Sequence, residues 1–326
     1  MRWLALAIAG CGSEPPGRGT IPYETLSEYG FFEGRMADVA PADGVVPYEV
    51  AASLWADRLD KDRFLVLPEG ETAAFDAAGD WTWPAGTIVI KHFSFEGRAI
   101  ETRLLILEDL GWAAHVYLWD DAERQARRLV EGADVTVGDG QRYLVPNVNQ
   151  CGGCHERDDA MHLLGPLTRQ MNREVTRDGD VIGQLGWLAA QGVLGSDPTA
   201  DGLPALADPF GDAEVELRAR SYLDANCSHC HREGGGGGRS GLTLLASETD
   251  PVSYGVCKPP VAAGAGAGGR SHDIVPGLPD ESIVTYRMAS TDPEIKMPEL
   301  PNLLSDAAGV ALIEEWIAGM TPQGCP

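Results

Sequence analysis

The chain has 326 residues, with 25 Lys and Arg against 49 Asp and Glu, a formal charge of −24. That balance repels nucleic-acid phosphates and anionic lipid headgroups, which excludes nucleic acid as a partner and leaves a basic protein, or none, as the compatible one. The same acidity also serves to keep a secreted protein soluble. The length allows two or three domains, each with its own core, and a composition 44% hydrophobic excludes a disordered chain.

The chain opens with Arg2, an apolar run from Trp3 to Ala9, and Ile8-Ala9-Gly10-Cys11. This reads as a minimal export signal, too short to span a bilayer. Ile-Ala-Gly-Cys resembles the bacterial lipobox, which implies a lipid anchor on Cys11 as the sole membrane attachment. An incidental Cys11, or a start further upstream, is the alternative. Residues 13–20, with Pro15, Pro16, Gly17 and Gly19, then form a flexible tether. The resulting address is the periplasm or outer surface of a Gram-negative bacterium.

From 21 to 147 the pattern is β. Arg63–Leu67, Thr87–Phe93, Ile100–Leu107, Trp112–Trp119 and Arg142–Val145 are short apolar or alternating runs parted by Gly, Pro and Asp. Their spacing predicts an all-β, sandwich-like or curled domain. Trp81, Trp83, Trp112 and Trp119 are expected in its core or rim. Lys91, His92 and His115, set among apolar neighbours, are expected on a solvent face.

The next stretch, 148–211, opens on Cys151-Gly152-Gly153-Cys154-His155 and continues as short helices and loops, with a stop at Gly165-Pro166. The last, 212–326, begins with a predicted helix, Asp212–Asn226, whose Val215, Ala219, Tyr222, Leu223 and Asn226 share one face. That helix delivers a second motif, Cys227-Ser228-His229-Cys230-His231. The glycine loops at 234–238 and 262–269 lack the flanks of a nucleotide site and read as spacers. Ser305-Asp306 caps a final helix whose Val310, Ile313, Trp316, Ile317 and Met320 should pack on the 212–226 helix.

Random placement of seven Cys and seven His predicts roughly 0.003 CxxCH motifs, and the chain has two. Two thiols three positions apart can add across the vinyl groups of one porphyrin, and the adjacent histidine then reaches the iron. The pair of motifs therefore points to two haem c groups, held covalently by Cys151, Cys154, Cys227 and Cys230 and ligated by His155 and His231. Redox dithiols or halves of zinc sites are the alternatives. With Cys11 and these four set aside, Cys257 and Cys325 remain as an even pair. They form either a disulfide pinning the C-terminal tail or two buried thiols.

Residues 212–320 resemble a class I-like cytochrome c domain. The likeness rests on the helix before CxxCH, Ser240-Gly241-Leu242, Pro276-Gly277, Ser282, Arg287, Met297-Pro298 and the terminal Trp316-Ile317 helix. It implies His231 as the proximal ligand and Met297 as the distal one. More widely, Leu26–Phe32, Cys257–Gly264 and Gly324–Pro326 resemble a family of bacterial envelope di-haem cytochromes with an N-terminal β domain. The implied architecture is multidomain: an all-β domain followed by mainly α cytochrome c-like haem regions. A weaker likeness, carried by a β domain running into CxxCH and by Asp158-Asp159-Ala160, is to the cytochrome P460 type, whose haem is also bonded to a strand lysine; Lys91 would be that residue. Met161, His162, Met171, Met288 and Lys91 are the candidates for the first haem's sixth ligand.

His/Met ligation raises the potential of the second haem and leaves it no open site, so electron transfer with a redox partner protein, possible partners including basic ones, is the expected function. A di-haem enzyme with an open first haem, peroxidase-like or P460-like, is the alternative. A docking subunit of a respiratory complex is the third.

Overall fold

The computed structural model describes residues 21–326 apart from 197, 199–201, 262 and 300–301. The expected lipobox at Cys11 and its tether lie outside the described residues. A short pair, β1 (Phe32–Glu33) and β2 (Ala40–Pro41), precedes one antiparallel sheet whose six strands follow in chain order. These are β3 (Val45–Pro47), β4 (Asp60–Val66), β5 (Ile88–Phe95), β6 (Arg98–Glu108), β7 (Gly111–Trp119) and β8 (Ala126–Leu129). Between β5 and β6 the chain reverses through Glu96 and Gly97, both at positive φ (50° and 78°), the conformation that tight hairpins demand.

Register sorts the side chains. Phe64, Ile90 and Leu104 stand opposite one another on one face, and Leu65, Val89 and Leu105 on the other. The first face packs on Leu26, Phe31, Tyr117 and Trp119. The second is covered in two places. The hairpin β9 (Ala133–Val137) and β10 (Gln141–Val145) brings Val137, Tyr143 and Val145 onto Phe93 and Val116. Leu163, Met171, Leu185 and Leu188 join Trp81, Trp83, Leu65 and Val89. A sheet buried on both faces has near-continuous apolar strands, which is why β5 alternates so weakly.

The fold is thus mostly antiparallel β, as expected, but one large sheet is faced by a hairpin and short helices where a sandwich would have a second large sheet. The core also runs across residue 147, because residues 163–194 pack on the same sheet. Lys91, His92 and His115 depart from expectation: with both faces covered, no solvent face exists for them. His92 is buried, bonded through Nδ1 to Thr102 Oγ1 at 2.9 Å and edge-on to Trp119. His115 lies on that same face and reaches Glu108 at 3.0 Å.

After β10 come α1 (Val148–His155), the hairpin β11 (Glu156–Arg157) and β12 (Ala160–Met161), α2 (Thr168–Met171), the hairpin β13 (Glu174–Arg177) and β14 (Asp180–Gly183), and α3 (Gln184–Ala190). The remainder holds α4 (Val215–Asn226), α5 (Ile283–Ala289) and α6 (Ala307–Gly319). Helix α4 starts three residues later than expected, at Val215 rather than Asp212. As expected, α6 packs on α4, through Leu223, Ile313, Trp316 and Ile317. The approach is close enough that a Cβ on Gly309 would collide with the Tyr222 ring. Asp306 caps α6 by accepting from Gly309 N at 3.1 Å, and Tyr222 Oη donates to its other oxygen at 3.0 Å. Cys257 and Cys325 are joined by a disulfide, with Cα atoms 5.0 Å apart. Among the described residues no helix is long and apolar enough to cross a membrane.

Candidate functional site

Asn147 starts α1 with a reciprocal cap: its side chain accepts from Gln150 N at 3.0 Å, and Gln150 Oε1 accepts from Asn147 N at 2.9 Å. The helix so fixed places Cys151, Cys154 and His155 at i, i+3 and i+4, on one side. The hairpin β11–β12 then folds back, so that His155 Nδ1 lies 2.7 Å from the His162 carbonyl. That bond makes Nδ1 the protonated nitrogen and leaves Nε2 as a base. Burial pushes the ring's pKa down to about 4, so the imidazole is neutral, the form that binds metals. Behind it, the His162 ring meets Asp80 at 3.1 Å and Arg157 at 2.9 Å, and Arg157 bonds Asp80 at 2.5 Å.

Cys151, Cys154 and His155 open on a cleft between the two apolar layers on the second face of the sheet. Its opposite wall carries Arg63, Lys91 and Arg103, and its rim includes Ala52, Leu54 and Gly165. Among the five candidates for a sixth ligand, Lys91 alone lines this cavity. Met171 is fully buried in the core with Leu188. Met288 lines a different cavity. Met161 sits on β12, and His162 stands behind His155 rather than across from it.

That other cavity, much the smaller, brings Met297 together with Cys227, Met288, Trp55 and Tyr222. Cys227 is at the end of α4, where Asn226 Nδ2 donates to Tyr222 O at 3.0 Å and Ser228 Oγ to Asp224 O at 2.7 Å. The Met297 loop is held by Met297 N donating to Arg287 O at 3.0 Å and by Arg287 Nε donating to Ile295 O at 2.8 Å. His231 does not line this cavity; its Nδ1 lies 3.2 Å from Ser240 Oγ. Burial lowers its pKa, again favouring the neutral ring.

None of the four motif cysteines is in a disulfide. Burial pushes Cys227 and Cys230 up to about 12 and raises Cys151 and Cys154 as well, opposite to the depressed pKa a reactive dithiol needs. Among the described residues no three His, Cys, Asp or Glu side chains group as a metal site, so neither motif has the other half of a zinc centre beside it.

Three features escape the sequence. The two motifs touch: Cys230 Sγ lies 3.3 Å from Gly153 O, and Asp158 N donates to Gly234 O at 3.3 Å. His229 is buried beside this contact, with Nδ1 unpartnered. And the segment 52–57 serves both cavities, Ala52 and Leu54 lining the first and Trp55 the second. No local pattern marks these; the signal available was charge inside apolar strands, at Arg63, Lys91 and Arg103. No known protein family, curated protein or solved structure matches the chain.

Proposed function

We propose that the chain is a di-haem c-type cytochrome that transfers electrons in the bacterial cell envelope. The observation that carries the reading is the direct contact of the two CxxCH motifs at Cys230 and Gly153. The residues present fit the group. Each motif sets two half-buried cysteines beside a histidine whose burial favours the neutral ring, and His155 has its Nδ1 committed to a carbonyl, the bond that aims Nε2 at a metal. Cys151, Cys154 and His155 would hold one haem, and Cys227, Cys230 and His231 the other, with Met297, which lines the cavity beside Cys227, as a further ligand to it. Haem c supplies a one-electron couple, tuned by its axial ligands. The chain's part is to fix the imidazoles, shield the sites and keep the two attachment points together. In this reading the C-terminal helices form the cytochrome c-like part of a multidomain chain. A Cys257–Cys325 disulfide suits an oxidising compartment, and the acidic surface suits a basic redox partner.

The test is haem counting. Denatured wild type should keep two haems per chain, and the Cys227→Ala, Cys230→Ala double variant should keep one. Haem extracted completely by acid acetone would rule the reading out.

One observation favours a second reading, an enzyme with an open first haem. The first cavity is much larger than the second, and it is faced by Lys91, the residue that the P460 likeness would bond to the porphyrin. A high-spin first haem that turns over peroxide or a small nitrogen compound would support it.

A further inference from the structure

Strand register sets three cations in one row across the sheet. Arg63 on β4 stands directly opposite Lys91 on β5, and Lys91 directly opposite Arg103 on β6. All three line the first cavity, facing Cys151, Cys154 and His155. Like charges directly opposite in a sheet repel, and partial burial strengthens the repulsion. In a chain of net charge −24, such a row is not a by-product of composition.

The compensation on the wall itself is incomplete. Glu101 answers Arg103 with two bonds, Nη2 to Oε1 at 2.5 Å and Nε to Oε2 at 3.0 Å, and also accepts from Tyr143 Oη at 2.5 Å. Arg63 donates only to neutral oxygens, Lys61 O at 3.1 Å and Ser53 Oγ at 2.9 Å. Lys91 has the Phe93 ring 5.0 Å from Nζ. Among the described residues neither cation has a carboxylate within ion-pair distance. Asp62 alternates to the opposite face with His92. Three basic groups and one carboxylate leave two, Arg63 and Lys91, without a counter-charge, and burial with Arg63 close by holds the Lys91 ammonium well below its usual pKa.

We propose that the row Arg63–Lys91–Arg103 is an anion-binding wall that takes the two propionate carboxylates of the haem attached to Cys151 and Cys154. This rests on the di-haem reading. Two carboxylates match the two basic groups that lack an acidic partner, and a guanidinium and an ammonium are the groups that recognise them. A diffusible oxyanion such as phosphate has the same chemistry and is the other possible source, which the experiment separates.

The full haem-loaded chain is compared with its Arg63→Gln, Lys91→Gln and Arg63→Lys variants, with haem content measured on each sample. Two haems per chain in all four keeps the parent reading in force; one or none in wild type overturns that reading and not merely the wall. Removing a cation beside a propionate disfavours the reduced iron. Each Gln variant should therefore lower the first haem's potential by roughly tenfold in its equilibrium constant, about 59 mV for one electron, and Arg63→Lys should restore most of it. The second haem's potential should not move. Added phosphate should leave wild type unchanged if propionates fill the wall; a saturable phosphate effect lost in the Gln variants would assign it to a diffusible anion and overturn the propionate assignment. Unchanged potentials in both Gln variants overturn the wall. So does loss of a nitrogen-ligand low-spin signal in Lys91→Gln with Arg63→Gln silent, since Lys91 would then be the iron's ligand.

Discussion

His92 shows what single residues disclose only after folding. Its sequence context placed it on a solvent face; its ring is buried against Thr102 and Trp119, and burial alone lowers its pKa from 6.5 to about 4. The folded state thus prefers the neutral ring, so His92 adds stability that is whole above pH 6.5 and drains away as pH falls towards 4. That interval corresponds to about 3 kcal/mol at its limit. In His92→Gln, which can keep the bond to Thr102, urea midpoints should fall less steeply between pH 6.5 and 4 than in wild type. Parallel curves would show that His92 is not buried as a neutral base. The motif cysteines and histidines were readable as groups because they are adjacent in sequence. Lys91 and its partners were not, because which face a strand residue takes is fixed by what covers the sheet.

Among the elements, the loop between β3 and β4 carries the most consequence for its length. Asp57 and Arg58 both hold left-handed backbone, φ 47° and 68°, a costly conformation for residues with side chains. The gain is a clamp. Buried Asp57 accepts from Leu303 N at 2.8 Å and Leu304 N at 3.0 Å, just beyond the Met297 loop. Trp55 N donates to Asn226 Oδ1 at 2.7 Å, next to Cys227, and its indole donates to Leu304 O at 3.2 Å. Asp57→Ala removes the acceptor of two part-buried amides, on Leu303 and on the more exposed Leu304, a loss of about 1–3 kcal/mol. Urea unfolding should register that loss, and in the proposed haem-loaded chain the sulfur-to-iron absorption band expected of Met297 should disappear at milder alkaline pH than in wild type. Asp57→Asn, which keeps one acceptor, should lie between the two. An unchanged band in Asp57→Ala would separate the loop from the distal ligand. The helices α4 and α6 and their packing were legible from apolar spacing and one cap. This clamp was not, since its partners are far apart in the chain and its signal is a backbone angle.

For the whole molecule, what matters is that two motifs from distant parts of the chain meet. The sequence divided them between separate regions, 148–211 and 212–326, and predicted a boundary at 147. The structure runs one core through that boundary and sets Cys230 against Gly153. Helical and strand periods report only what lies within a turn or two, so this contact was beyond them. In the proposed di-haem reading, electron exchange depends on the separation of the haems, and attachment points in contact would keep that separation short. The most direct test is an EPR-monitored redox titration of the full haem-loaded chain. The account predicts two haems reduced in separate one-electron steps, with signals altered by their mutual coupling and simplified in the Cys227→Ala, Cys230→Ala variant. Two magnetically isolated haems, each with the same signal whether or not the other is present, would contradict it.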